Sequence, residues 1–194
     1  MSILFQKNNR LNIPNVLTVG RIALVPVFVI IFYLPFEWSY FASAFVFAIA
    51  GISDWFDGYL ARKLQQSTRV GAFLDPVADK LMVVVSLVLL VEAHATTWLA
   101  VPAFIIIARE VAVSALREWM AESGNSTRVS VSHLGKVKTV VQMVAIAGLL
   151  GNPPDYTLHL VLASYALLYV AVGLTIWSMF IYLKAAWPEL SSGE

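Results

Sequence analysis

The chain has 194 residues, 59% hydrophobic and 13% charged, with 13 Lys and Arg against 12 Asp and Glu for a net charge of +1. Soluble domains run at about 45–50% apolar and about 25% charged, so too little polar surface is present to face water, and a mean hydropathy of +0.77 agrees. The same figures, with Gly 10 and Pro 8, exclude disorder, collagen and coiled coil; the near-zero charge offers no attraction to nucleic acid, and Cys 0 removes disulfides, thiolate metal sites and cysteine nucleophiles.

The expected class is all-α: a polytopic membrane protein of one domain, residues 1–194, with six transmembrane helices. A helix needs about 20 mostly apolar residues to cross the hydrocarbon core. Residues 1–12 read as a short interfacial helix, with Ile3, Leu4, Phe5 and Leu11 apolar and Lys7 and Arg10 charged. A cleaved signal peptide fits poorly, because the apolar run after Arg21 is long and no small-residue cleavage site closes it. The spans then follow as Pro14–Leu34, Tyr40–Leu60, Phe73–Val91, Trp98–Trp119, Leu134–Leu150 and Leu158–Leu183. Turn chemistry or charge separates them at Leu34-Pro35-Phe36-Glu37, Glu92-Ala93-His94 and Gly151-Asn152-Pro153-Pro154-Asp155. The connections after the first, third and fifth spans hold Glu37, Glu92, Asp155 and two histidines but no Lys or Arg. The positive-inside rule therefore predicts N-in, C-in topology, with Trp38 and Trp98 at the outward interface.

Four aspartates carry the chemistry. Asp54 and Asp57 are spaced i,i+3 near the inner end of the second span; Asp75 and Asp79 are spaced i,i+4 at the start of the third. Each pair shares a helix face, and a short connection makes the two helices antiparallel neighbours, so all four carboxylates converge near one level. A single such Asp reads equally well as a cap or a surface ion pair. Four together do not: each costs about 2.5–3.5 kcal/mol within a span, and they repel unless a cation neutralises them. Arg62, Lys63, Arg69 and Lys80 supply part of that charge. Hard oxygen donors without Cys or paired His favour Mg²⁺ or Mn²⁺, and four carboxylates have capacity for two ions, the arrangement used for in-line phosphoryl chemistry. Gly58 leaves room for a flat group beside Asp57 or serves helix packing; Gly71 reads equally as a loop glycine.

The spacing D-x2-D-G-x2-A-R-x8-G-x3-D-x3-D is matched without departure by Asp54, Asp57, Gly58, Ala61, Arg62, Gly71, Asp75 and Asp79. It resembles the signature of the CDP-alcohol phosphotransferase family. A narrower likeness, to bacterial members that use glycerol 3-phosphate as acceptor, rests on Ile13-Pro14-Asn15-Val16-Leu17-Thr18-Val19-Gly20-Arg21, Ala108-Arg109-Glu110, Leu116-Arg117-Glu118-Trp119 and Gly135-Lys136-Val137-Lys138-Thr139. The resemblance implies a six-helix homodimer in the bacterial cytoplasmic membrane, its dinuclear Mg²⁺ or Mn²⁺ site facing the cytoplasm. It matches Asp54, Asp57 and Asp75 to metal ligands, and Asp79 to a metal-site residue that also acts as catalytic base. It matches Gly58, Ala61, Arg62 and Thr68 to positions lining the CDP-diacylglycerol site. The implied reaction is phosphatidyl transfer from CDP-diacylglycerol to glycerol 3-phosphate with release of CMP.

The fourth and fifth spans carry further cations. Arg109 and Arg117 lie eight residues apart near one helical face, and Lys136 and Lys138 open the fifth span. The functional reading is a basic pocket for the phosphate of the acceptor alcohol, since Arg offers a planar fork and Lys a point charge. The plainer readings are ion pairs of Arg109 with Glu110 and of Arg117 with Glu118, and positive-inside anchoring by the two lysines. Such a pocket rejects unphosphorylated acceptors such as serine but not inositol phosphate, which stands as an alternative acceptor. His94, His133 and His159 show no ligand spacing, and interfacial solvation is the expected role of His94 and His159. Ser114, Ser130 and Ser132 lack a base, and Gln142 reads either as a ligand contact or as a buried interhelical hydrogen bond. The rival of another class is a divalent-cation transporter; against it, the acids cluster at one end of the spans rather than at the midplane.

Overall fold

Where water is absent, backbone N–H and C=O groups have to pair within their own segment, and long apolar runs do so as helices. The computed structural model describes residues 13–64, 69–122 and 133–190. Among these residues there are six helices and no strand: α1 Ile13–Phe32, α2 Trp38–Leu64, α3 Arg69–His94, α4 Thr97–Glu122, α5 His133–Leu150 and α6 His159–Leu190. The six helices follow the six expected segments, with α2, α3, α4 and α6 running several residues beyond them. The expected interfacial helix at residues 1–12 lies outside the described residues.

The connections end and restart helices by local chemistry. Pro35 follows α1, and the chain turns through Phe36 N–H to the Leu34 carbonyl at 2.8 Å and Ser39 N–H to the Phe36 carbonyl at 3.0 Å. Ala95, at φ 46°, takes the left-handed conformation that stops α3. Thr96 then caps α4: its carbonyl accepts from Leu99 at 3.1 Å and from Ala100 at 3.0 Å, and its hydroxyl accepts from Trp98 N–H at 3.4 Å. Between α5 and α6, Asp155 Oδ1 accepts from the Thr157 N–H at 2.9 Å and hydroxyl at 2.8 Å. Those bonds, the backbone one first, hold the Asp155 carboxyl below its usual value.

The chain packs as two compact units, Met1–Ser86 and Leu87–Glu194. In the first, α1 packs on α2, with Phe28 and Phe47 fully enclosed and Thr18, Arg21 and Ser43 also buried. In the second, α6 packs along α5 and also against α4, enclosing Ile106, Ile146, Leu149 and Leu168. The α5–α6 contact is close: a Cβ at Gly148 would collide with the Ser164 hydroxyl and lie 3.2 Å from its Cβ, as small residues allow between membrane helices.

Polar side chains are buried alongside the apolar core, and large apolar side chains are exposed. Arg21, Lys138, Gln142, Thr175 and Ser178 are buried, whereas Phe41 is 73% exposed, Phe104 72% and Leu160 67%. Exposed apolar surface on this scale marks contact with something other than water. Among the described residues, two helical stretches are long and apolar enough to cross a bilayer, Thr97–Met120 and His159–Lys184; shorter apolar stretches occupy Thr18–Phe32, Trp38–Ser53 and Val137–Leu150. Among the described residues the chain is all-helical, with apolar helices of the length and composition that suit a membrane.

Candidate active site

The α2 backbone is helical through Asp54 and Asp57, and the α3 backbone through Asp75 and Asp79. At 3.6 residues per turn each pair shares a helix face, the pairs lying in the C-terminal half of α2 and the N-terminal half of α3. Gly58, Ala61 and Arg62 continue α2 past the first pair. The side chains of all these residues lie outside the described set, and Thr68 lies outside it altogether. Among the described residues no group of three or more His, Asp or Glu forms a metal site. Four carboxylates on two consecutive helices are the donor chemistry a hard divalent cation requires.

The second unit holds a part-buried charged cluster. Arg109 on α4 donates from Nη1 to Glu110 Oε1 at 3.2 Å and from Nη2 to Ser178 Oγ of α6 at 3.2 Å. Its guanidinium carbon stands 5.8 Å from the Tyr182 ring centroid, a cation–π distance. Lys138 on α5 donates to the same Glu110 Oε1 at 2.6 Å, with its own side chain 3% exposed. Ser178 completes its hydroxyl pairing by donating to the Thr175 carbonyl at 2.9 Å. Arg109 and Lys138, two of the four basic residues singled out in the sequence, thus meet at one carboxylate. Arg117 lies on α4 and Lys136 on α5; their side chains are outside the described residues.

Among the described residues, three buried polar atoms near this cluster or on its helices have no hydrogen-bond partner: Arg109 Nε, Gln142 Oε1 and Thr175 Oγ1. Gln142, one turn along α5 from Lys138, therefore does not use its side-chain oxygen in an interhelical hydrogen bond. Ser114 donates back to the Glu110 carbonyl at 2.7 Å, which occupies its hydroxyl within its own helix. Between α4 and α6 an apolar cavity of about 400 Å³ is lined by residues including Ala112, Ala115, Leu116, Trp119 and Met179, and Tyr182 forms part of its wall.

Sequence reasoning treated Glu110 only as a partner for Arg109 and passed over Ser178 and Tyr182. The cost of an uncompensated carboxylate in a span was the signal for Glu110; nothing in the pattern marks a Ser and a Tyr four residues apart in an apolar helix. His94 corrects an expectation. Rather than meeting solvent, it is 8% exposed, its Nδ1 is 3.0 Å from the Tyr165 hydroxyl, and the Tyr156 and Tyr165 rings pack edge-on against it. His159 is exposed, as expected.

Residues 11–177 match the family model for CDP-alcohol phosphatidyltransferase. Curated relatives align over nearly the full length. A CDP-diacylglycerol–glycerol-3-phosphate 3-phosphatidyltransferase of Pseudomonas fluorescens is 56% identical over 183 residues, 94% of this chain and 93% of the relative. Proteins of the same name from Yersinia pestis and Escherichia coli K12 are 54% and 53% identical, covering 93% and 92% of this chain and 98% and 97% of their own lengths.

Proposed function

The chain belongs to the CDP-alcohol phosphatidyltransferase family, and on that premise we propose that it transfers the phosphatidyl group of CDP-diacylglycerol to glycerol 3-phosphate, giving phosphatidylglycerophosphate and CMP. The observation that carries this reading is end-to-end likeness to relatives named for that reaction. The complete aspartate signature and the part-buried Arg109–Glu110–Lys138 cluster support it.

The protein works as a multi-pass enzyme of the cytoplasmic membrane, with six spans, both termini inside and the chemistry at the cytoplasmic face; it acts as a homodimer. Asp54, Asp57, Asp75 and Asp79 would hold Mg²⁺ or Mn²⁺, two ions per site. When bound, such ions neutralise the pyrophosphate and polarise the phosphorus under attack. Gly58, Ala61, Arg62 and Thr68 line the nucleotide end of the donor, whose acyl chains stay in the bilayer. Asp79 takes the proton from the 1-hydroxyl of glycerol 3-phosphate; the alkoxide oxygen bonds to the β-phosphorus, and the bond to CMP breaks. Arg109, Arg117, Lys136 and Lys138 hold the acceptor phosphate, so part of the rate comes from orientation.

The test supplies purified protein with CDP-diacylglycerol, glycerol 3-phosphate and Mg²⁺ and follows CMP and lipid product. Wild type releases CMP in step with phosphatidylglycerophosphate, EDTA stops it and added Mg²⁺ restores it. Asp79→Asn lowers kcat by about 10²-fold or more, the usual contribution of a positioned base. Unimpaired turnover by Asp79→Asn, or no release with any divalent metal, contradicts the mechanism.

A further inference from the structure

Arg109 is held at three points. Nη1 bonds Glu110, Nη2 bonds Ser178, and the guanidinium lies over Tyr182. The third guanidinium nitrogen, Nε, is buried and has no hydrogen-bond partner among the described residues. A buried donor left unpaired is costly, so this atom is suited to a ligand oxygen. The same Glu110 oxygen that orients Arg109 also takes the Lys138 ammonium at 2.6 Å. That contact links α4 to α5, each of which packs mainly against α6. Electrostatically, a carboxylate between two cations opposes binding of a phosphate beside them. Its presence is explained if geometry outweighs repulsion: without it, the long Lys and Arg side chains would search many rotamers.

We propose that Glu110, assisted by Ser178, is a positioning residue of the acceptor site: it fixes Arg109 and Lys138 so that Arg109 Nε–H is presented to the acceptor's phosphate. The inference rests on the glycerol 3-phosphate reading above. Glu110 itself makes no contact with the substrate.

The experiment measures KM for each substrate and kcat on purified full-length protein in mixed micelles, with gel filtration and a thermal transition as checks on folding. Glu110→Gln is expected to raise KM for glycerol 3-phosphate about tenfold, the equivalent of one lost charge-assisted contact, while KM for CDP-diacylglycerol stays within about twofold. Glu110→Asp recovers most of that loss, and Ser178→Ala raises the same KM about threefold. An unchanged or lowered glycerol 3-phosphate KM in Glu110→Gln overturns the proposal, because the carboxylate then only repels the phosphate or only ties helices. A parallel rise in both KM values overturns it too. If Glu110→Gln fails to fold, Ser178→Ala decides: an unchanged acceptor KM refutes the positioning role. Failure of the wild type to use glycerol 3-phosphate would instead refute the underlying reading.

Discussion

His94 stands just past the apolar stretch of α3, buried against Tyr156 and Tyr165. Burial penalises its imidazolium form and lowers its pKa below the ordinary 6.5. The folded protein therefore takes up this proton at lower pH than the unfolded chain does. The ring's contribution to stability is complete above about pH 6.5 and declines as pH falls below that value. Thermal unfolding of the wild type should show a drop in transition temperature between pH 7 and pH 5 that is smaller in His94→Gln; equal drops in both proteins would refute the assignment. In the sequence this histidine was an isolated residue in an outward loop, because its tyrosine partners lie 62 and 71 positions away. Glu110 was half legible for the same reason. Its sequence neighbour Arg109 was visible; Lys138, 28 residues on, was not marked as its partner.

At the scale of elements, the helices themselves were legible, since apolar runs of spanning length broken by Pro, Gly, Asn and charge leave few alternatives. Where α3 and α6 extend beyond the expected spans, the added turns carry charged or polar residues such as Arg69, His94 and Lys184, which hydropathy assigns to water although helix continues through them. Helix pairing was less legible, because lipid-facing and protein-facing positions are both apolar and the periodicity fades. The α5–α6 contact at Gly148 and Ser164 is one such feature. Gly148→Ala should destabilise by about 1 kcal/mol, lowering the transition by about 2–4 °C for a chain of this size. Gly173→Ala, with open space around its Cβ, should not, and Ser164→Gly should relieve Gly148→Ala. Equal melting of the two alanine variants would contradict the close packing.

Across the whole molecule, a net charge of +1 conceals an uneven distribution along the sequence: the segments joining α1 to α2, α3 to α4 and α5 to α6 hold no Lys or Arg, and the proposed N-in, C-in topology rests on that asymmetry. The described residues add a second feature, with Arg21, Lys138 and Gln142 buried while many large apolar side chains, Phe41, Phe104 and Leu160 among them, are exposed. Because the natural chain has no cysteine, single introduced thiols report topology cleanly. A cysteine at Thr157 should react with an impermeant maleimide in intact cells, and one at Ser192 only after the membrane is opened; the reverse pattern would overturn the N-in, C-in reading.

The central claim is the choice of donor and acceptor. It is tested most directly by CMP release from CDP-diacylglycerol with Mg²⁺ and, in parallel, glycerol 3-phosphate, inositol phosphate, glycerol or serine as acceptor. The account predicts rapid release with glycerol 3-phosphate and release at least about a hundredfold slower with the unphosphorylated acceptors, which offer no phosphate oxygen to the cationic cluster. Inositol phosphate should also lag. Release that is equal or faster with inositol phosphate, or absent with glycerol 3-phosphate, would contradict it.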